Sequence, residues 1–323
     1  MEKILEVRDL KVTFATGGGV LQAVRGVSFD LNRSEVLGIA GESGSGKSVT
    51  AHSLLKLLPG NTMELSGRIL FHGDDVLEKS KEELRAFRGG GISMIFQEPG
   101  RSFDPLYSIE KTLAETIRLH NPEFSKNQIL DYSVQLLEEV RIPEAGSRIK
   151  NFPHQFSGGM LQRIMIAISL ASAPEILIAD EPTTALDVTI QAEIVKLLME
   201  LREKRNLSII FISHDLSLLA SVCDRIAVMY AGLVLEQGPM RKVLEAPYHP
   251  YTRALLDSVP RLGDHYTEKT IASIPGTVPD PMKHEPGCPF EPRCSLAEEA
   301  CRKEIPPVIA DPHQYRCIKK GVK

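Results

Sequence analysis

Cysteine is almost missing from this sequence until its end. Of the five in 323 residues, only Cys223 falls before residue 288. A secreted fold stapled by disulfides would spread them through the chain, so that class is excluded for the main body. Long apolar runs are missing too. The greasiest stretch, Ile164 to Ala179, is interrupted by Ser169, Ser172, Pro174 and Glu175, short of the ~20 clean apolar residues that span a bilayer. The opening MEKILEVRDLKVTF alternates apolar and charged residues and lacks the apolar core of a secretory signal. Nor is there a surplus of positive charge: 38 Lys and Arg against 42 Asp and Glu leave −4. That removes the bulk attraction on which nucleic-acid binders rely. Repeats, heptads and low-complexity tracts are absent. What remains, 42% hydrophobic and 25% charged, is the composition of an ordinary globular protein. A cytosolic chain is expected, and in a reducing cytosol clustered cysteines are metal ligands more often than disulfides.

The patterns along the chain change four times. ILEVRDLKVTF and VLQAVRGVSFDL alternate around Gly17-Gly18-Gly19 and predict short strands about a turn. EVLGIAGESGSGKSVTAHSLLKLL reads as an apolar strand, a glycine-rich turn and an amphipathic helix. LEKSKEELRAFRG predicts a solvated helix, and helical periodicity dominates residues 101–165, clearest in TLAETIRLH and NQILDYSVQLLEEV. EILIAD and SIIFIS are strands flanking the helix IQAEIVKLLMELREKR. From about Gly238 prolines thicken and periodicity fades, which predicts an extended appendage. The order predicts a parallel α/β core with an inserted helical subdomain. The predicted segments are a β subdomain with the first part of the core in 1–98, a helical subdomain in 99–168, the rest of the core in 169–238 and a C-terminal extension in 239–323.

Gly41-Glu42-Ser43-Gly44-Ser45-Gly46-Lys47-Ser48, followed by Val49, matches G-x-x-x-x-G-K-[ST] between a strand and a helix. Glycines let backbone N–H groups curl around phosphate oxygens, and the helix start adds its dipole. Lys47 would neutralise the β- and γ-phosphates and the Ser48 hydroxyl would ligate Mg²⁺, so a nucleoside triphosphate site is predicted. Asp180-Glu181 ends an apolar strand, where an α/β sheet delivers residues to its ligand edge. Asp180 would join the Mg²⁺ shell and Glu181 would polarise an attacking water, although an acidic pair after a strand also serves as a helix cap. Phe156-Ser157-Gly158-Gly159-Met160-Leu161-Gln162-Arg163 is a second glycine-rich helix start. Gln97 follows the strand ISMIF and His214 follows SIIFIS. Phe14 is either an adenine-stacking ring or core.

That order resembles the nucleotide-binding subunit of ATP-binding cassette (ABC) transporters over residues 1 to about 238. The resemblance implies a P-loop ABC-type domain with a parallel sheet core, an N-terminal antiparallel β subdomain and an inserted helical subdomain. It implies ATPase activity in a dimer that sandwiches two ATP molecules. Ser157, Gly158 and Gly159 would then contact ATP held by the partner subunit. Gln97 would touch Mg²⁺ and the attacking water, and His214 would hold the γ-phosphate. Ala185-Leu186-Asp187 would form a loop at the dimer interface, with Asp187 its key residue. The signature departs from the commoner L-S-G-G-Q at Phe156 and Met160 and keeps its Ser-Gly-Gly centre.

APYHPYTRALLDSVP, IPGTVPDP, GCPFEPRC and FQEPGRSFDPLYSI resemble segments of dipeptide/oligopeptide-type importer ATPases. The implied role is to energise peptide import, with nickel or oligosaccharide import as the alternative cargo. The implied partners are a second, related ATPase, two permease subunits and, through them, an extracytoplasmic binding protein. The implied place is peripheral, on the cytoplasmic face of the cell (inner) membrane. Between Cys288, Cys294, Cys301 and Cys317 lie five, six and fifteen residues. That spacing leaves open an iron–sulfur cluster, zinc, disulfides or free thiols, without the tight C-x₂₋₄-C pairs of structural zinc. Some similar importer ATPases bind a [4Fe–4S] cluster through four such cysteines, and the resemblance implies the same here, with zinc as runner-up.

Overall fold

The computed structural model describes residues 2–184, 186–259, 274–283, 285–310 and 313–319. The chain begins with β1 (Lys3–Thr16), β2 (Gly19–Asn32), β3 (Val36–Ala40), α1 (Lys47–Leu54), β4 (Thr62–Phe71) and β5 (Asp74–Asp75). It continues through α2 (Lys81–Gly90), β6 (Ile92–Ile95), α3 (Pro99–Ser102), α4 (Ile109–His120), α5 (Lys126–Glu139), α6 (Ala145–Arg148) and α7 (Gly158–Leu170). Then follow β7 (Ile176–Asp180), α8 (Val188–Arg205), β8 (Ser208–Ile212), α9 (Leu216–Val222), β9 (Arg225–Tyr230), β10 (Leu233–Pro239), α10 (Met240–Glu245), α11 (Pro250–Asp257) and β11 (Gln314–Tyr315). Two compact units result, Met1–Leu77 with Phe211–Lys323, and Glu78–Ile210.

In the first unit β1 pairs antiparallel with β2 on one side and β4 on the other. The two predicted short strands are in fact 14 residues each, and Gly19 belongs to β2. Asp9 has φ 48° and the β1–β2 register slips between Val7 and Leu10. This bulge resets the alternation, so one long strand reads in sequence as short pieces. All five residues of β3 are buried, and it runs parallel to β9. β9 turns into antiparallel β10 through Ala231 (φ 45°) and Gly232 (φ 79°), the two-residue left-handed turn that suits strand twist.

The C-terminal segment is not the extended appendage that its prolines predict. Pro239 precedes α10 and Pro250 opens α11, positions where the missing N–H costs nothing. The chain then returns as β11, antiparallel to β10 with Tyr315 opposite Glu236. Glu236 is fully buried and its carboxylate accepts from Tyr248 N–H (2.7 Å) and His249 N–H (3.0 Å), with His313 Nε2 at 2.6 Å. One buried carboxylate thus ties two separate parts of the extension, 248–249 and 313, to the sheet. Cys223 lies just beyond α9, in extended backbone rather than in a continued helix. It is buried, and its Sγ would lie 3.0 Å from any Cβ at position 38, which Gly38 lacks.

In the second unit β6 and β7 are parallel, with Ile92 opposite Ile176 and Ile95 opposite Ala179. Ser208 N–H donates to Glu175 O and starts β8 beside them. Helices α4, α5 and α7 pack together, and their buried residues include Leu113, Ile117, Ile129, Leu136, Ile164 and Ile166. Their starts are set by Ser108, Ser125 and Ser157, whose hydroxyls accept from the first-turn N–H groups. α2 follows a Ser80–Glu83 capping box, and it is not solvated all round, because Leu84 and Phe87 are buried. No helix of the described residues is long and apolar enough to cross a membrane.

Candidate functional site

In the first unit, β3 delivers the chain into the 41–48 loop. Gly41 (φ +149°) and Gly46 (φ +97°) are steric necessities, since an added Cβ would lie 2.2 Å from Met229 O and 2.5 Å from Ala23 O. Gly46 then caps α1, which begins at Lys47. Lys47 is buried, and its ammonium donates to Gly41 O (2.8 Å) and Glu42 O (2.9 Å), with Ser45 Oγ at 3.5 Å. Ser43 and Gly44 are exposed at the loop tip, while Ser48 and Val49 are half-buried on the first turn. His214 is exposed just past β8, and the preceding Ser213 N–H donates to Ile39 O, on the strand that feeds the loop. Phe14 sits in the ladder opposite Leu21 and Thr62 and is only 7% exposed, packed as a core residue.

In the second unit the parallel register of β6 and β7 brings their following residues side by side. Gln97 Nε2 donates to Glu181 Oε2 at 3.0 Å, and Thr184 Oγ1 donates to the same oxygen at 2.9 Å. Asp180 is buried, and Glu181 takes a left-handed backbone (φ 46°), a strained choice for a side chain of its size. The arrangement is a carboxylate aimed by two donors next to a buried second carboxylate. Thr184 is a partner that the sequence pattern gave no reason to single out. Ser157 is the exposed cap of α7, its hydroxyl accepting from Met160 N–H at 3.4 Å. Gly158 and Gly159 face Leu186 and Ile190, where a Cβ at 159 would lie 2.8 Å from Ile190 Cγ2. Asp187 caps α8 by accepting from Ile190 N–H at 3.0 Å. The signature turn and the Leu186-Asp187 loop are therefore neighbours; Ala185 lies outside the described residues.

The C-terminal cysteines converge. Cys288, Cys294, Cys301 and Cys317 all line one cavity, with His249, Phe290 and Leu296. Gly287 makes this possible, since at φ +98° a Cβ there would lie 2.3 Å from Cys301 O, while Cys288 N–H donates to that same carbonyl. None of the five cysteines is in a disulfide. Burial, and then the other cysteines, push the Cys288 thiol up to about 12, and burial raises Cys294 and Cys317 as well. Among the described residues no group of three or more His, Cys, Asp or Glu side chains stands together as a metal-ion site. The four thiols share a cavity without closing on a single point.

The loop, the strand-end carboxylates and the Ser-Gly-Gly turn lie in a stretch whose sequence matches ATP-binding cassettes. The ABC transporter family matches residues 24–184, and the family "Oligopeptide/dipeptide transporter, C-terminal region" matches residues 235–301. A dimeric ATP-binding cassette solved in a post-hydrolysis state with ADP and Pi is 25% identical, with a TM-score of 0.65, covering 73% of this chain and 99% of that one. The chain is an ABC ATPase subunit, of the kind that energises transport. The dipeptide transport ATP-binding protein DppD of Bacillus subtilis is 48% identical over 98% of this chain and 95% of its own length. The oligopeptide transport ATP-binding protein OppD of Salmonella typhimurium is 46% identical over 99% and 94%. The chain belongs to the dipeptide/oligopeptide transporter family of ATP-binding proteins.

Proposed function

We propose that this chain hydrolyses ATP to drive import of di- or oligopeptides through a membrane permease, working with a second, related ATPase subunit. The observation that carries the reading is Glu181, aimed by Gln97 and Thr184 beside the buried Asp180. In an ATPase family this is the equipment for activating a water. Glu181 orients and polarises that water, and Gln97 fixes the carboxylate and touches the water. Lys47 carries the phosphate charge, the N–H groups of the loop from Gly41 to Ser48 cradle the oxygens, and His214 holds the γ-phosphate. Ser48, Asp180 and the carboxamide oxygen of Gln97 are hard oxygen donors that fit Mg²⁺, which neutralises charge on the β- and γ-phosphates when bound. Ser157, Gly158 and Gly159 meet the ATP of the partner ATPase, and Asp187 lies at that interface. Leu106, 81% exposed beyond Gln97, and Phe96, 38% exposed, offer apolar surface to the permease. This makes the chain peripheral on the cytoplasmic face of the membrane, with the extracytoplasmic binding protein supplying peptide from the other side.

The cysteines would hold a [4Fe–4S] cluster. Its support is that four thiols from across the extension line one cavity. A cubane presents its irons in different directions over edges of ~3 Å and tolerates wider spacing than zinc. The cluster would brace the segment from Cys288 to Cys317.

Paired variants test the ATPase reading. Lys47→Ala is expected to abolish ATP binding. Glu181→Gln is expected to bind ATP like the wild type while hydrolysis falls ~10²–10³-fold. A Glu181→Gln protein that turns over normally contradicts the assignment.

A further inference from the structure

We propose that the C-terminal extension is part of the nucleotide site, with Arg293 and Tyr251 as positioning residues that hold Glu42 and so set the affinity for ATP. The inference rests on the reading of residues 41–48 as the ATP loop and adds to it a control from outside that loop. Glu42, the second loop residue, is gripped at three points. Its N–H donates to Tyr251 Oη at 2.9 Å. Its carbonyl accepts from Lys47 Nζ at 2.9 Å. Its carboxylate receives Arg293 Nη1, 3.1 Å from Oε1 and 2.9 Å from Oε2. Two of these three grips come from the extension, and the third is the lysine that would meet the phosphates.

The grip is built rather than incidental. The Arg293 side chain is only 5% exposed, and it is fixed from behind by Nε to Pro275 O (2.9 Å) and Nη1 to Tyr230 Oη (3.2 Å). Tyr251 is fully buried, packed in a cluster with Tyr230 and Phe290 whose rings meet tilted or edge-on. Its own N–H donates to His249 Nδ1 at 3.0 Å. A charge-assisted pair that is mostly out of water is stronger and more directional than a surface pair.

Charge gives the arrangement a purpose. A loop that receives the phosphates of ATP is a poor place for an unpaired carboxylate. Without Arg293, Glu42 would repel the incoming phosphates and draw Lys47 toward itself. With Arg293 in place the negative charge is neutralised, and the 41–42 carbonyls stay where Lys47 can rest on them. Arg293 therefore acts through Glu42.

The test uses the full chain, calorimetric titration with MgATPγS and steady-state ATPase kinetics. Arg293→Met is expected to weaken binding roughly tenfold and to raise KM with kcat within about twofold. Adding Glu42→Gln to Arg293→Met is expected to restore binding to within about threefold of wild type, because the unpaired charge is gone. Tyr251→Phe, which deletes one oxygen, is expected to weaken binding about threefold. Unchanged affinity in both single variants overturns the proposal. So does weakened binding in Arg293→Met that Glu42→Gln fails to restore, since the arginine would then merely brace the extension. If Arg293→Met does not fold, Tyr251→Phe decides alone, and wild-type affinity there overturns the proposal. A wild-type chain that binds no MgATPγS, or a Lys47→Ala variant that binds it normally, would instead contradict the ATP reading itself.

Discussion

Single side chains carry the chemistry, and their backbones are bent to serve it. Glu181 accepts a left-handed conformation, which costs on the order of 1 kcal/mol or more, to leave β7 toward Gln97 and Thr184. Thr184 Oγ1 restricts the Glu181 carboxylate from one side. Thr184→Val, nearly equal in shape, is therefore expected to lower kcat roughly fivefold and leave the KM for ATP unchanged. A change confined to KM would show that Thr184 serves binding instead. Gln97, Asp180, Glu181 and the loop residues were legible because motif and register place them at strand ends. Thr184, Tyr251 and Arg293 were not. Arg293 meets Glu42 only after the chain has crossed most of its length, and no local pattern marks such a pair.

Elements were legible where periodicity and caps agree. The Ser125–Gln128 capping box starts α5, and its buried Ile129, Leu136 and Leu137 give the helix its inner face. The reading failed where one residue changes the phase or the meaning of a pattern. The bulge at Asp9 hid the length of β1, and Pro239 and Pro250 concealed two short helices that they in fact begin. α5 and α8 are joined by charge. Glu139, at the end of α5, binds Arg205 and, at 2.9 Å, Lys204, both in the last turn of α8. Burial pushes its carboxyl up, and the hydrogen bonds and charges of Arg205 and Lys204 outweigh that, leaving it below its ordinary value of 4.5. A lowered folded-state value means stability that is present above pH 4.5 and lost as pH falls through the folded value. Glu139→Gln should cost about 3 kcal/mol at pH 7, because it leaves Arg205 largely buried without its anion. In urea titrations the gap between variant and wild type should close below pH 4.5. A gap that widens on acidification would contradict the ion-pair account.

At the scale of the whole molecule, the extension is tied into the first unit twice: through Glu236 to the sheet, and through Glu42 to the nucleotide loop. Anaerobically purified protein is expected to carry about four irons and four acid-labile sulfides, lost in Cys294→Ser. About one zinc and no iron would replace the cluster with a zinc centre and leave the ATPase assignment standing. The composition announced a globular protein, and the motifs announced the cassette that the family match bears out. The account is therefore tested most directly by ATP-driven uptake of a labelled dipeptide or oligopeptide, in vesicles holding the permease, the binding protein, the second ATPase and this chain. Uptake that needs this chain, and that Glu181→Gln reduces at least about tenfold, is the expected result. Uptake that proceeds equally well with Glu181→Gln, or no uptake with the wild type, would contradict it.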